Sequence, residues 1–339
     1  MHPLVRSFRK NIVENRFIVP LGVTAMIGMR LLLFLSTDFA QITCCDSPFL
    51  QKYAELLFAD RWVSFIISTV SLFLIAGLLS VMDSRFTLIR TRTYLPFVVP
   101  LFLLSLHPRF LVMTGDYVAV ILIVSAFFPL LKSYQQPVSY LFSFRSAVLI
   151  AVASLFRIHT LWLLLLWWKG ERSMRGSQLR SFVAFLFGIF LVYCSVFSLF
   201  FFFDDLPGFL APFRMLTHFS LPPFSGFSPA EWAVALLTLL FFILNMMLSI
   251  RIYAHDKVII LCFMEFLVQL IILFLLLQLV YWGATIFPLM LSLVGVSFLN
   301  AYFYTMTTST KEIYLAALFL ALILLFYLVQ LFSDVPLLG

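Results

Sequence analysis

Six side chains stand where a bilayer disfavours them: Arg30, Asp116, Arg145, Arg157, His159 and Glu265, each within an apolar run. A charge at the bilayer centre costs roughly 2.5–3.5 kcal/mol on insertion scales, so each needs a physical reason. Two chemistries suit the set. A carboxylate such as Asp46 or Asp38, in "STDFAQITCCDSPF" after the first apolar run, can take a proton from a hydroxyl. Arg157 and His159 in "LFRIHTLW", with Arg109 and His107 in "LHPRF", can hold an anionic oxygen, because charge-assisted hydrogen bonds are the strong ones. Asp116 and Arg30 either join that site or serve as counter-charges, pairing Arg30 or Arg157 with Asp116. Glu265, with Gln269 one turn on, reads as an interhelical hydrogen bond or a contact with a partner, and Asn245 reads likewise. Arg145 fits the cytoplasmic interface, where a long cationic stem snorkels cheaply.

Positioning these residues falls to helices. The chain is 63% hydrophobic and only 11% charged, too little polar surface to coat a soluble globule of 339 residues. Its apolar runs match the ~20 residues that cross about 30 Å of hydrocarbon. Backbone groups in lipid must be satisfied within the chain, and the alternating pattern of a membrane barrel is absent, so the runs are helices. They fall at about 17–36, 62–82, 94–106, 110–131, 144–168, 181–203, 232–250, 258–280, 284–305 and 313–332. The expected fold is an all-α, polytopic integral membrane helical bundle of about 10–11 segments.

The net charge of +7 is distributed by side. With the N-terminus inside, 15 basic residues fall in cytoplasmic stretches and four (Lys52, Arg61, Arg109, Arg214) outside. That is the positive-inside pattern, so the charge reports orientation and implies no nucleic-acid partner. The expected location is a bacterial inner membrane, with a cytoplasmic N-terminus and with loops 37–61 and 204–231 periplasmic.

The pattern holds only if the chain turns back within 144–168. Lys132 and the Lys169–Arg180 block both belong inside, yet one crossing would separate them. Two short helices, about Phe144–Phe156 and Thr160–Trp168, therefore meet near Arg157-Ile158-His159 as a tight or re-entrant pair. The alternative is one long tilted helix with Arg157 snorkelling. The chain reads as a single membrane domain, 1–339, with residues 17–36 retained as a signal anchor. Its 204–231 stretch mixes Pro, Phe and Gly and lies in the interface. Cys194 and Cys262 are packing residues within helices. Cys44 and Cys45 lack ligand-like spacing, so neither a zinc site nor a disulfide framework is expected.

The run "LFRIHTLWLLLLWWKGERS", preceded by "SYLFSFRSAVLIAVAS" and "HPRFLVMTGDY", resembles the middle of GT-C type glycosyltransferases, which use polyprenyl-phosphate sugars. The segment order also resembles small multi-pass membrane proteins of the Bacteroidota. The glycosyltransferase resemblance covers about residues 17–203. It implies sugar transfer from a polyprenyl-phosphate donor at the outer membrane face. Asp46 is the better match to the family's outer-loop acid and Asp38 the other. Arg157, His159, Arg109 and His107 would hold phosphate beside Asp116 and Arg30. No Asp-Glu pair and no soluble C-terminal domain accompany them. The reading names no cofactor and no metal, although a divalent cation would be compatible with the chemistry. The competing reading is a non-enzymatic inner-membrane subunit that meets a membrane-protein partner through the 204–231 loop or the Glu265 helix. A transporter is third, because the two halves show no repeat. An enzyme calls for an outward cavity lined by Asp46, Asp116 and the 157–159 turn, whereas a subunit pairs and closes those residues.

Overall fold

A computed structural model describes residues 3–36, 60–136, 140–175, 179–220, 239, 243, 246–254, 256–282, 285–307 and 309–332. The chain is all-α. Its helices are α1 (Pro3–Phe8), α2 (Ile18–Ser36), α3 (Arg61–Phe86), α4 (Leu95–Leu103), α5 (Gly115–Lys132), α6 (Tyr140–Phe156), α7 (Leu163–Arg175), α8 (Leu179–Phe202), α9 (Leu206–Met215), α10 (Val258–Val280), α11 (Phe287–Met306) and α12 (Thr310–Phe332). Among the described residues, seven helices are long and apolar enough to cross a membrane: α2, α3, α5, α8, α10, α11 and α12. The chain is a multi-pass membrane protein. Segment 232–250 lies mostly outside the described residues.

Burial separates the helices into a centre and a rim. α11 has 83% of its most apolar window buried, against 11% for α8. α11 packs between α10 and α4, α5 packs against α3 and α6, and α6 in turn packs on α8. Trp167 of α7, fully buried, stacks on Phe127 of α5 and meets Phe266 of α10 edge-on, so α7 is wedged between those two helices. α12 is tied to α2 by Tyr327 Oη, which donates to the carbonyl of Met29 at 2.8 Å.

The expected break at 157 is present, and it is a hairpin. α6 ends at Phe156, Arg157 is extended (φ −140°, ψ 104°), and a 3-10 turn (Ile158–Trp162) leads into α7. Ser143 and Glu171 each lie fourteen residues from Arg157. Glu171 accepts from Ser143 Oγ at 2.9 Å and from Ser146 Oγ at 3.1 Å, which brings the chain back beside its own start. The second leg differs from expectation. It continues as helix through Lys169-Gly170-Glu171-Arg172, read from sequence as a loop beginning at Lys169, because Glu171 turns inward and is 2% exposed while Arg172 turns out. The other short segment, 94–106, holds only the nine-residue α4, followed by an irregular stretch and a 3-10 turn at Pro108–Leu111. Pro108 opens that turn, where its missing N–H is not needed.

Candidate functional site

The hairpin apex, the 107–116 stretch and the C-terminal half of α2 converge at the end of the bundle opposite Lys132 and Arg172. Asp116 lies in the first turn of α5, where the positive end of the helix dipole favours a carboxylate. It receives Thr114 Oγ1 at 2.9 Å and Arg157 Nη2 at 3.1 Å, and it forms an ion pair with Arg157 Nε. Asp116 is 1% exposed and Arg157 6%. Of the two counter-charge pairings read from sequence, Arg157–Asp116 is formed.

Arg30 is held differently. Its guanidinium, fully buried, donates to Ser68 Oγ (2.8 Å), Thr69 Oγ1 (3.2 Å) and the carbonyl of Phe110 (3.0 Å), and it lies over the ring of Phe65. Tyr117, adjacent to Asp116, donates to the same Phe110 carbonyl. Arg30 is therefore neutralised by oxygen dipoles, and it stands one carbonyl away from the Asp116 turn.

His159 follows the ion pair into the apex. Its ring meets Tyr281 edge-on at 4.5 Å, and Tyr281 Oη donates to the carbonyl of Leu216 at 2.7 Å. Ser220 closes the same place through backbone bonds with Val280 (3.0 Å) and Trp282 (2.8 Å). α9 packs on the 158–162 turn, with Leu210 outward and Pro212 buried, so the described part of the 204–231 stretch forms an amphipathic helix across the apex. His107 is 2% exposed and caps the Pro108–Leu111 turn, its Nδ1 accepting from Arg109 N at 3.2 Å. Burial first, and the charge of Arg109 second, hold this imidazole well below the ordinary histidine range. Arg109 itself is half-buried.

Arg157, Asp116, His159 and Arg30 are thus brought to one region, with His107 and Arg109 on the loop that supplies Asp116. Asp38, Asp46, Cys44, Cys45 and Asn245 lie outside the described residues. Glu265 is exposed on α10, within a helix of spanning length. Arg145 is exposed in the second turn of α6. Among the described residues, no three His, Cys, Asp or Glu side chains stand together as metal ligands.

Sequence reasoning missed the serines that hold the site. Ser64 accepts from Met113 N at 2.8 Å, Ser68 donates to the carbonyl of Leu111 at 2.7 Å, and Ser71 meets Met113 Sδ at 3.6 Å. Their spacing of four and then three residues puts all three on one face of α3. That stripe inside an apolar helix was the available signal. Glu171 had a weaker one, being an acid alone among basic neighbours.

A comparison with family models gives no match, and comparisons with curated proteins and with solved structures give no significant one.

Proposed function

We propose that the chain is a non-catalytic, multi-pass subunit of a bacterial inner-membrane assembly, with its basic end cytoplasmic, in which the apex residues lock a helical hairpin. The observation that carries this reading is the Arg157–Asp116 pair, closed beneath Tyr281 and the 206–220 stretch. Removing one member of a buried pair costs about 3–5 kcal/mol, whereas replacing both by apolar groups of similar volume is close to neutral. The pair is therefore a device of position. Glu265 supports the same reading: an exposed acid in an apolar helix is relieved when a partner helix brings a donor or a cation to it.

A second reading, polyprenyl-phosphate-dependent glycosyl transfer, is favoured by the unsatisfied groups beside the pair. Among the described residues, His159 Nδ1 and Nε2, Thr160 Oγ1, Arg30 Nη1 and His107 Nε2 are buried without a hydrogen-bond partner. Buried polar groups are ordinarily paired, so a concentration of orphans marks a place for a polar ligand. In this reading those of the groups that carry a hydrogen, with Arg157 and Arg109, would hold the phosphate. Asp46 or Asp38 would take the acceptor hydroxyl's proton as that oxygen bonds to the sugar and the sugar–phosphate bond breaks, releasing polyprenyl phosphate.

One double variant separates the two. Asp116→Leu with Arg157→Met, expressed as the full chain in a strain lacking it, accumulates normally under both readings. Under the first it restores the strain's growth and envelope integrity. Accumulation without restoration overturns the first reading and leaves the second, which is then measured as sugar release from a polyprenyl-phosphate donor.

A further inference from the structure

We propose that the basic end of the bundle carries a binding site for an anionic phospholipid, apart from the apex residues. A cavity of about 450 Å³ opens there between the last turns of α3 and α5 and the first turns of α6. That volume lies within the ~300–1,000 Å³ typical of small-molecule sites. Arg85, Lys132 and Arg145 line it, and among the described residues no acidic side chain does. All three cations are exposed, and among the described residues none forms an ion pair. Asp83, the acid closest in sequence, is turned away: its carboxylate is 8% exposed and accepts from Ile89 N at 2.8 Å.

The rest of the wall is hydrocarbon. Phe86, Phe142, Val148 and Leu149 are half-buried along it, and Lys132 Nζ stands 5.6 Å over the Phe142 ring. The three cations sit where their helices end or begin, and Val148 and Leu149 lie one turn deeper into α6. An occupant must therefore put negative charge at the rim and an apolar chain down the wall. Inorganic phosphate meets only the first demand, and a zwitterionic lipid meets the second but brings its own cation beside its phosphate, so no net negative charge faces the three basic residues. An anionic phospholipid meets both, and basic clusters at a membrane surface attract that class of headgroup.

The test uses the full chain purified in a neutral detergent and incubated with phosphatidylglycerol or phosphatidylcholine of matched acyl chains. Retained lipid is counted by native mass spectrometry. The wild-type chain is expected to keep phosphatidylglycerol in preference to phosphatidylcholine. Arg85→Gln, Lys132→Gln and Arg145→Gln should each weaken retention roughly fivefold, the equivalent of about 1 kcal/mol per cation. Leu149→Trp, which fills the wall and leaves the charges, should also release the lipid. Arg172→Gln with Arg180→Gln, basic residues outside the cavity, should change nothing. Equal retention of the two lipids overturns the proposal, as does retention that survives both the triple charge variant and Leu149→Trp. Displacement by millimolar inorganic phosphate with Leu149→Trp silent overturns it as well, since the site would then hold only an anion.

Discussion

At the residue scale, the apex combines a buried ion pair with an imidazole whose two ring nitrogens have no partner among the described residues. His159→Phe keeps an aromatic ring against Tyr281 and removes both nitrogens. Leaving a buried polar group unsatisfied costs about 1–3 kcal/mol, so this substitution should leave the unfolding midpoint in detergent unchanged or raise it. A marked fall in that midpoint would mean that the nitrogens are satisfied in the native membrane. Arg157→Gln acts in the opposite sense. It leaves Asp116 buried and unpaired, and a loss of about 3–5 kcal/mol is expected, read as a lowered midpoint and poor accumulation. His107 yields a pH prediction. Its folded-state pKa lies below the ordinary histidine value of 6.5, so below that pH the unfolded chain takes up a proton that the folded chain refuses. Stability is thus complete above pH 6.5 and is lost as pH falls, by at most about 1.4 kcal/mol per unit for one proton. His107→Asn keeps an acceptor for the Arg109 amide and should flatten stability measured between pH 7 and 5.

At the element scale, close approaches decide which helices pair. A Cβ on Gly188 of α8 would meet the carbonyl oxygen of Phe144 and the Cβ of Ala147, both at 3.0 Å, so α8 and α6 touch nearly backbone to backbone. Gly188→Leu should therefore cost about 1–3 kcal/mol by overpacking, seen as a lower unfolding midpoint, while Phe190→Leu on the outward face of the same helix should be silent. The hairpin belongs to this scale too. Its existence was legible before the structure, because the basic residues on either side of 144–168 demand the same membrane face. The continuation of its second leg was not legible. Composition makes "WWKGERS" a polar stretch, and only the packing of α7 against α6 shows Glu171 pointing in. The α3 serine stripe was legible as a pattern but not as a purpose, since spacing defines a face and says nothing of what that face meets.

At the scale of the whole molecule, helices alternate between a basic end and an apex end, which fixes a labelling pattern. In a background without native cysteines, single cysteines at Gln135 and Arg172, both exposed at the basic end, should react from one side of the membrane. One at Phe219, exposed at the other end, should react from the opposite side, and one at Ile158, 1% exposed, should react from neither. Labelling of Gln135 and Arg172 from opposite sides would replace the hairpin with a single crossing. Sequence by itself determined the class of molecule and the approximate spans, and it favoured a turn at Arg157 over one long tilted helix, because hydrocarbon thickness and the preference of basic residues for one face act on each segment independently. It also narrowed Asp116 to two cationic partners. Tertiary structure alone decided that Arg157 takes Asp116 while Arg30 is held by hydroxyl and carbonyl oxygens. It alone placed Tyr281 and the 206–220 stretch over the apex and gathered Arg85, Lys132 and Arg145 around one cavity. Those outcomes depend on which helices become neighbours, and that is set by the summed packing of many side chains from distant parts of the chain, which no local pattern encodes.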